Sequence, residues 1–194
     1  LKALETASVV WIAAPVIAVG LLGIYFAHLY NRLFRYRNAA EANLGQIRVA
    51  MKKRLDMIEQ LLGAVRGYVR HEREIFEKVA TMRARVLEAG TFDLSEIDRE
   101  SSGITGNILA IAEAYPDLKA NETVKKLMDA IVSVEDEIAR HRYTYNNIVQ
   151  TLNTMVDTIP SNVVARVVDA TKLDYLSFEG GVEAKPEVTG IAGN

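Results

Sequence analysis

The sequence predicts an all-α protein: an N-terminal transmembrane helix followed by a long antiparallel helical bundle of three long helices plus a short fourth. Three observations carry this reading. Thr6 to Asn31 contains no Lys, Arg, Asp or Glu. Apolar residues beyond it recur at steps of three and four, the period of a helix with one buried face. No proline falls between Pro15 and Pro116, so nothing of that kind interrupts the periodicity. The organisation that follows is a short N-terminal segment (1–8), a transmembrane helix (9–30), a helical bundle (31–179) and a flexible C-terminal tail (180–194) opening on Gly180-Gly181.

The transmembrane helix runs from Val9 to Tyr30, and about 20 mostly apolar residues suffice to cross a bilayer. The apolar core of a secretory signal is shorter and ends at small residues, whereas this run ends in Phe26, Leu29 and Tyr30. It is therefore read as an anchor. Trp11 near one end and Tyr25 and Tyr30 near the other match the aromatic belts of the two interfaces, and Pro15, Gly20 and Gly23 are tolerated in a span. Arg32, Arg35 and Arg37 follow at once, against Lys2 alone on the N-terminal side. This bias places the N-terminus outside and the bundle in the cytoplasm, at the cell (inner or cytoplasmic) membrane. The lack of cysteine agrees with a reducing compartment.

The first bundle helix is expected from about Asn31 to Ala89, extending roughly 85–90 Å at 1.5 Å per residue. Its stripe is Leu44, Ile47, Met51, Leu55, Ile58, Leu62, Val65 and Val69, continued by Ile75, Phe76, Val79, Met82, Val86 and Leu87. Gly90 is the expected C′ residue. A second helix is expected from about Ser95 to Ala114, capped by Asp93 or Ser95. Tyr115-Pro116 breaks it, because a residue before proline is driven out of the αR region. Asn121 caps the third, whose face runs from Val124 through Ile131, Val134, Ile138 and Tyr145 to Met155, with Pro160 beyond its end near Thr158. A short fourth spans about Asn162 to Ala170.

Chemistry is sparse. A formal net charge of −2 does not suggest a nucleic-acid partner. His71-Glu72 begins the zinc-protease pattern, but Ile75 stands at the second histidine position. The Glu-x-x-His step of a di-iron bundle fails at both His71 and His141, which follow Tyr68 and Ile138 by three. Gly63, Gly67 and Gly103 are isolated, so no phosphate loop is present. The run Glu135-Asp136-Glu137 reads as a solvated helix face. No catalytic, cofactor-binding or metal-ligating residues are assigned, and no cofactor is expected.

One string is far more specific: Ala114-Tyr115-Pro116-Asp117-Leu118-Lys119-Ala120-Asn121. It resembles the signature turn of the LemA family. Further matches follow in the family's order: Tyr30-Asn31, Lys52-Lys53-Arg54 with Asp56, Gly67-Tyr68 before His71-Glu72, Tyr145-Asn146, and Phe178-Glu179. Two departures mark a divergent member. Ile58-Glu59-Gln60-Leu61 stands where the family has Ile-Pro-Asn-Leu, and a C-terminal Gly-Phe is absent. The resemblance implies a single-pass membrane protein with a helical bundle and no established enzymatic activity. It includes magnetosome-associated relatives and members encoded beside a membrane metalloprotease. The expected partners are the lipid bilayer and further copies of the chain. A membrane protease or other membrane protein is the alternative, with the chain as its accessory or adaptor subunit. Within the signature turn, Tyr115, Asp117, Lys119 and Asn121 are the candidate contacts.

Overall fold

A computed structural model describes residues 2–69 and 72–177. Regular structure among them is entirely helical: α1 (Lys2–Ala64), α2 (Glu72–Arg85), α3 (Thr91–Ala114), α4 (Pro116–Ala120), α5 (Glu122–Asp157) and α6 (Ser161–Val167). The tail 180–194, with Phe178 and Glu179, lies outside the described residues. Two compact units are present. One draws on Leu1–Ala42 and Asn146–Asp174, the other on Asn43–Tyr145 and Tyr175–Asn194.

In the first unit, α1 carries Pro15 inside the helix. From Val16 to Phe26 its large apolar side chains are exposed on every face. At Leu29 and Leu33 the helix begins to bury one side. Leu33 packs with Leu152 and Met155 of α5 and Ala165 of α6, and Tyr36, Val156, Val168 and Leu173 close around them. The chain after α6 turns at Asp169, whose φ of 51° is left-handed, a conformation aspartate tolerates better than most residues. It is then clamped by Asn153. That side chain donates to the carbonyl of Leu173 and accepts from its N–H, both at 2.9 Å. Lys172 pairs with Asp157 at 2.7 Å.

In the second unit the predicted stripe of α1 is the core. Leu44, Ile47, Met51, Leu55, Ile58, Leu62 and Val65 are all buried. The helix expected from Asn31 to Ala89, however, is two helices. α1 ends at Ala64, and the turn that follows contains Gly67 at φ +89°, which favours glycine. α2 then folds back along α1, so that Arg83 pairs with Asp56 and, at 2.8 Å, with Glu59. The periodicity runs through the break because Val65 before it and Val79 after it bury equally. Leu87, expected to extend the stripe, is exposed in the turn after α2.

Gly90 also differs from expectation. Its φ of −76° is not left-handed, and it is the N-cap residue of α3 rather than a C′ residue. The Leu94 N–H reaches its carbonyl at 2.9 Å. α3 thus begins at Thr91, four residues early, and neither Asp93 nor Ser95 caps it. Asp93 lies in the first turn, where its charge suits the helix dipole. The Ser95 hydroxyl lies 3.0 Å from the Thr91 carbonyl and 2.8 Å from that of Ser177. Val124, Ile131, Val134, Ile138 and Tyr145 of α5 complete this core.

Gly63, in the last turn of α1, and Gly67, in the turn after it, should respond in opposite directions. At each, a Cβ meets nothing within 4 Å. Gly67→Ala should destabilise by about 1–2 kcal/mol, from the left-handed backbone alone. Gly63→Ala, inside the helix, should stabilise by about 0.5–1 kcal/mol. Denaturant unfolding of the two variants checks both.

Candidate functional site

The signature turn is built by local rules. Tyr115 is extended at φ −114° and ψ 108°, as a residue before proline should be, and Pro116 opens the one-turn helix α4 at a position that needs no N–H. Leu118 plunges into the core while Tyr115, Asp117 and Lys119 stay exposed. Asn121 caps α5: its Oδ1 accepts from the N–H groups of Thr123 and Val124 at 2.9 and 3.2 Å.

Tyr115 does more than precede a proline. Its ring meets that of Tyr68 edge to face, with centroids 5.0 Å apart. The two rings border an open groove of about 520 Å³ with Ile75, Ile104, Ile108 and Ile111 along it and Glu74, Lys78 and Asn107 among its polar residues. The fold thus brings the Gly67-Tyr68 and Tyr115-Pro116 matches, distant in sequence, to one place.

A second cluster was not anticipated. Arg54 is buried, its side chain 3% exposed. Its Nη2 lies 2.8 Å from Asp98 Oδ1 and also donates to the Ser101 hydroxyl, which in turn lies 2.6 Å from the Ile97 carbonyl. Glu135 faces the same cluster. It is half-buried, which corrects its expected place on a solvated face; its neighbour Asp136 is exposed, and Glu137 pairs with Lys53 at 3.3 Å. Burial raises the Glu135 carboxyl above its ordinary value of 4.5; the Arg54 charge opposes this, while Asp98 and Asp136 reinforce it. A signal for the cluster exists in register. Arg54 falls three residues after Met51 and Ser101 seven after Leu94, so both ride on buried stripes. The geometry suits a buried ionic lock. Among the described residues no group of three or more His, Cys, Asp or Glu is arranged to hold a metal ion.

Of the anchor residues, Tyr25 and Tyr30 are exposed, and Tyr30 stacks at a tilt on Phe34 at 4.7 Å. The Arg32 guanidinium lies 5.8 Å over the Tyr36 ring. Gly20 and Gly23 have open space around them, and Arg35 and Arg37, more than three turns further along α1, are exposed. The side chain of Trp11 lies outside the described residues.

Among the described residues all regular structure is helical, and one helix is long and apolar enough to cross a membrane. The LemA family model matches residues 43–189, and the chain belongs to the LemA family. It is 26% identical over 156 residues to Protein LemA of Metamycoplasma hominis, covering 79% of this chain and 71% of that one. It is 21% identical over 173 residues to the magnetosome protein MamQ of Magnetospirillum gryphiswaldense, covering 75% of this chain and 64% of the relative. Magnetosome protein MamQ 2 of Paramagnetospirillum magneticum is 31% identical over 70 residues, only 36% of this chain and 26% of its own length.

The buried cluster makes two testable statements. Arg54→Ala or Asp98→Ala should each cost about 3–5 kcal/mol, since each strands the other charge, whereas Arg54→Met with Asp98→Leu should cost far less. A double-mutant cycle by denaturant unfolding decides. For Glu135, the raised folded value means that above pH 4.5 the native state holds a proton the unfolded state has lost. Stability therefore falls as pH rises from 4.5 through the raised value. Glu135→Gln should remove that slope and raise the melting temperature at neutral pH, with no difference below pH 4.

Proposed function

We propose that this protein is a non-enzymatic, membrane-anchored helical scaffold that self-assembles and organises or shapes a membrane or recruits partners to it. One observation carries the anchor. Val16, Ile17, Val19, Leu21, Leu22 and Ile24 are all exposed around the same helix, Leu22 to 66%. Water exacts a cost for such a surface and lipid does not. The same helix then buries Leu29 and Leu33 in a folded unit, so the apolar segment belongs to the folded chain. In this reading the antiparallel helical bundle lies in the cytoplasm and the N-terminus outside, as the arginines after the span favour. The assembly half rests on long amphipathic helices that carry exposed side chains such as Val132 and Tyr143 of α5, and on the kinship with magnetosome proteins, which favours building a structure over turning over a substrate.

The second reading is an accessory subunit of a membrane protease or signalling complex. The groove bordered by Tyr68 and Tyr115 favours it, as an apolar recess suited to a partner's side chains.

Membranes from an expressing strain, washed with alkaline carbonate and then solubilised in mild detergent, separate these readings. The protein should stay in the pellet and then run as a homomeric assembly by mass photometry. Release by carbonate overturns the anchor. A strict monomer overturns self-assembly, and a stoichiometric complex with a second protein supports the accessory reading.

A further inference from the structure

Helix α6 is apolar on two opposite faces. Ser161, Val164 and Ala165 are buried, and Val164 and Ala165 are 1% exposed. Val163 and Val167 of the helix are exposed to 55% and 70%, and Ile159, in the turn just before it, to 82%. Val163 and Val167 sit four residues apart on one side of the helix, and only Arg166 is a charged residue of it. Exposed valines on the side of α6 away from its buried face have no core to meet within their unit.

Its position names the occupant. Thr158, Pro160 and Ser161, at the start of α6, line one groove with Tyr25, Leu29 and Arg32 of α1. Tyr25 and Leu29 are where the exposed apolar surface of the candidate span gives way to buried packing. Helix α6 therefore begins level with the end of that surface. Beside the start of α6 stand two features of a bilayer interface, the aromatic ring of Tyr25 and the cation Arg32 for anionic headgroups, and the helix itself carries Arg166.

We propose that α6 and the turn before it form a membrane-docking element that lays Ile159, Val163 and Val167 into the headgroup–acyl boundary beside the span. This rests on the reading of Val16–Phe26 as the membrane-spanning surface. It makes the first unit a two-point attachment: the span passes through the bilayer, and α6 lies against its surface, as interfacial apolar helices do. The buried face of α6, through Ala165, ties that contact to Leu33 and Met155.

The chain has no cysteine, so one introduced cysteine labels a single position. Full-length Val163→Cys, Val167→Cys, Leu22→Cys and Val132→Cys, each carrying an NBD fluorophore, are reconstituted in phosphatidylcholine–phosphatidylglycerol vesicles with and without brominated acyl chains. All four sites are exposed, so the label displaces no core packing. The expected result is blue-shifted emission with most of the fluorescence lost to bromolipid at positions 163 and 22, a smaller or equal loss at 167, and none at 132. Quenching at 22 but not at 163 or 167 overturns the docking of α6 and leaves the span standing. A blue-shifted but unquenched probe at 163 means that protein covers the stripe, and it also overturns the proposal. Quenching at none of the sites overturns the span and the docking together.

Discussion

Arg54 carries a full charge in a seam from which water is excluded, and its neighbours are arranged around that fact. Leu55 and Met51 beside it are fully buried. A guanidinium in such a place is tolerable only if acceptors meet it, and Asp98 and Ser101 of α3 do so from one turn of helix. A slip of α1 along α3 by a single residue would remove those acceptors and drive the charge into apolar packing. The apolar stripe supplies most of the attraction between these helices but is indifferent to register, since one Leu or Ile packs nearly as well as the next. The ionic contact is directional, so it distinguishes registers that hydrophobic burial does not. Glu135 adds a third element to the same point, and its raised carboxyl records the burial it must accept to be there.

The first unit solves a different problem with the same helix. Along α1 the side chains go from exposed and apolar on every face to buried on one side within a few turns, at Leu29 and Leu33. Two polar devices then hold the packing partners of α1 in place. Asn153 replaces a missing backbone partner for Leu173, and Asp157 holds Lys172. Ala165 brings α6 in close because its side chain is small. The result is a folded collar of α5 and α6 around the point where the apolar surface ends. In the proposed anchored reading, that is where rigidity is most needed, because the solvent would change there.

Much of this was legible in the residues. The α1 stripe from Leu44 to Val65 is buried as its periodicity required, and Tyr115-Pro116 and Asn121 break and restart the helices as their backbone chemistry dictates. The reversal at Gly67 was not legible, because apolar spacing continues across it and only a positive φ betrays the turn. Gly90 was assigned to the wrong helix end for the same reason: a glycine marks a junction, but its φ decides which side it serves. The Arg54 cluster was hidden in plain charge runs. Lys52-Lys53-Arg54 and Glu135-Asp136-Glu137 look solvated as strings, and only the stripe register singles out the member that turns inward.

Sequence alone determined the helical class, the apolar segment and the family, because helix period, charge-free length and a short turn motif are local properties. Tertiary structure decided which charges are buried, where Tyr68 meets Tyr115, and that α6 shows a second apolar face. Each of these depends on what stands opposite a side chain once the chain has folded back. A helix period specifies the direction in which a residue points, not what it finds there.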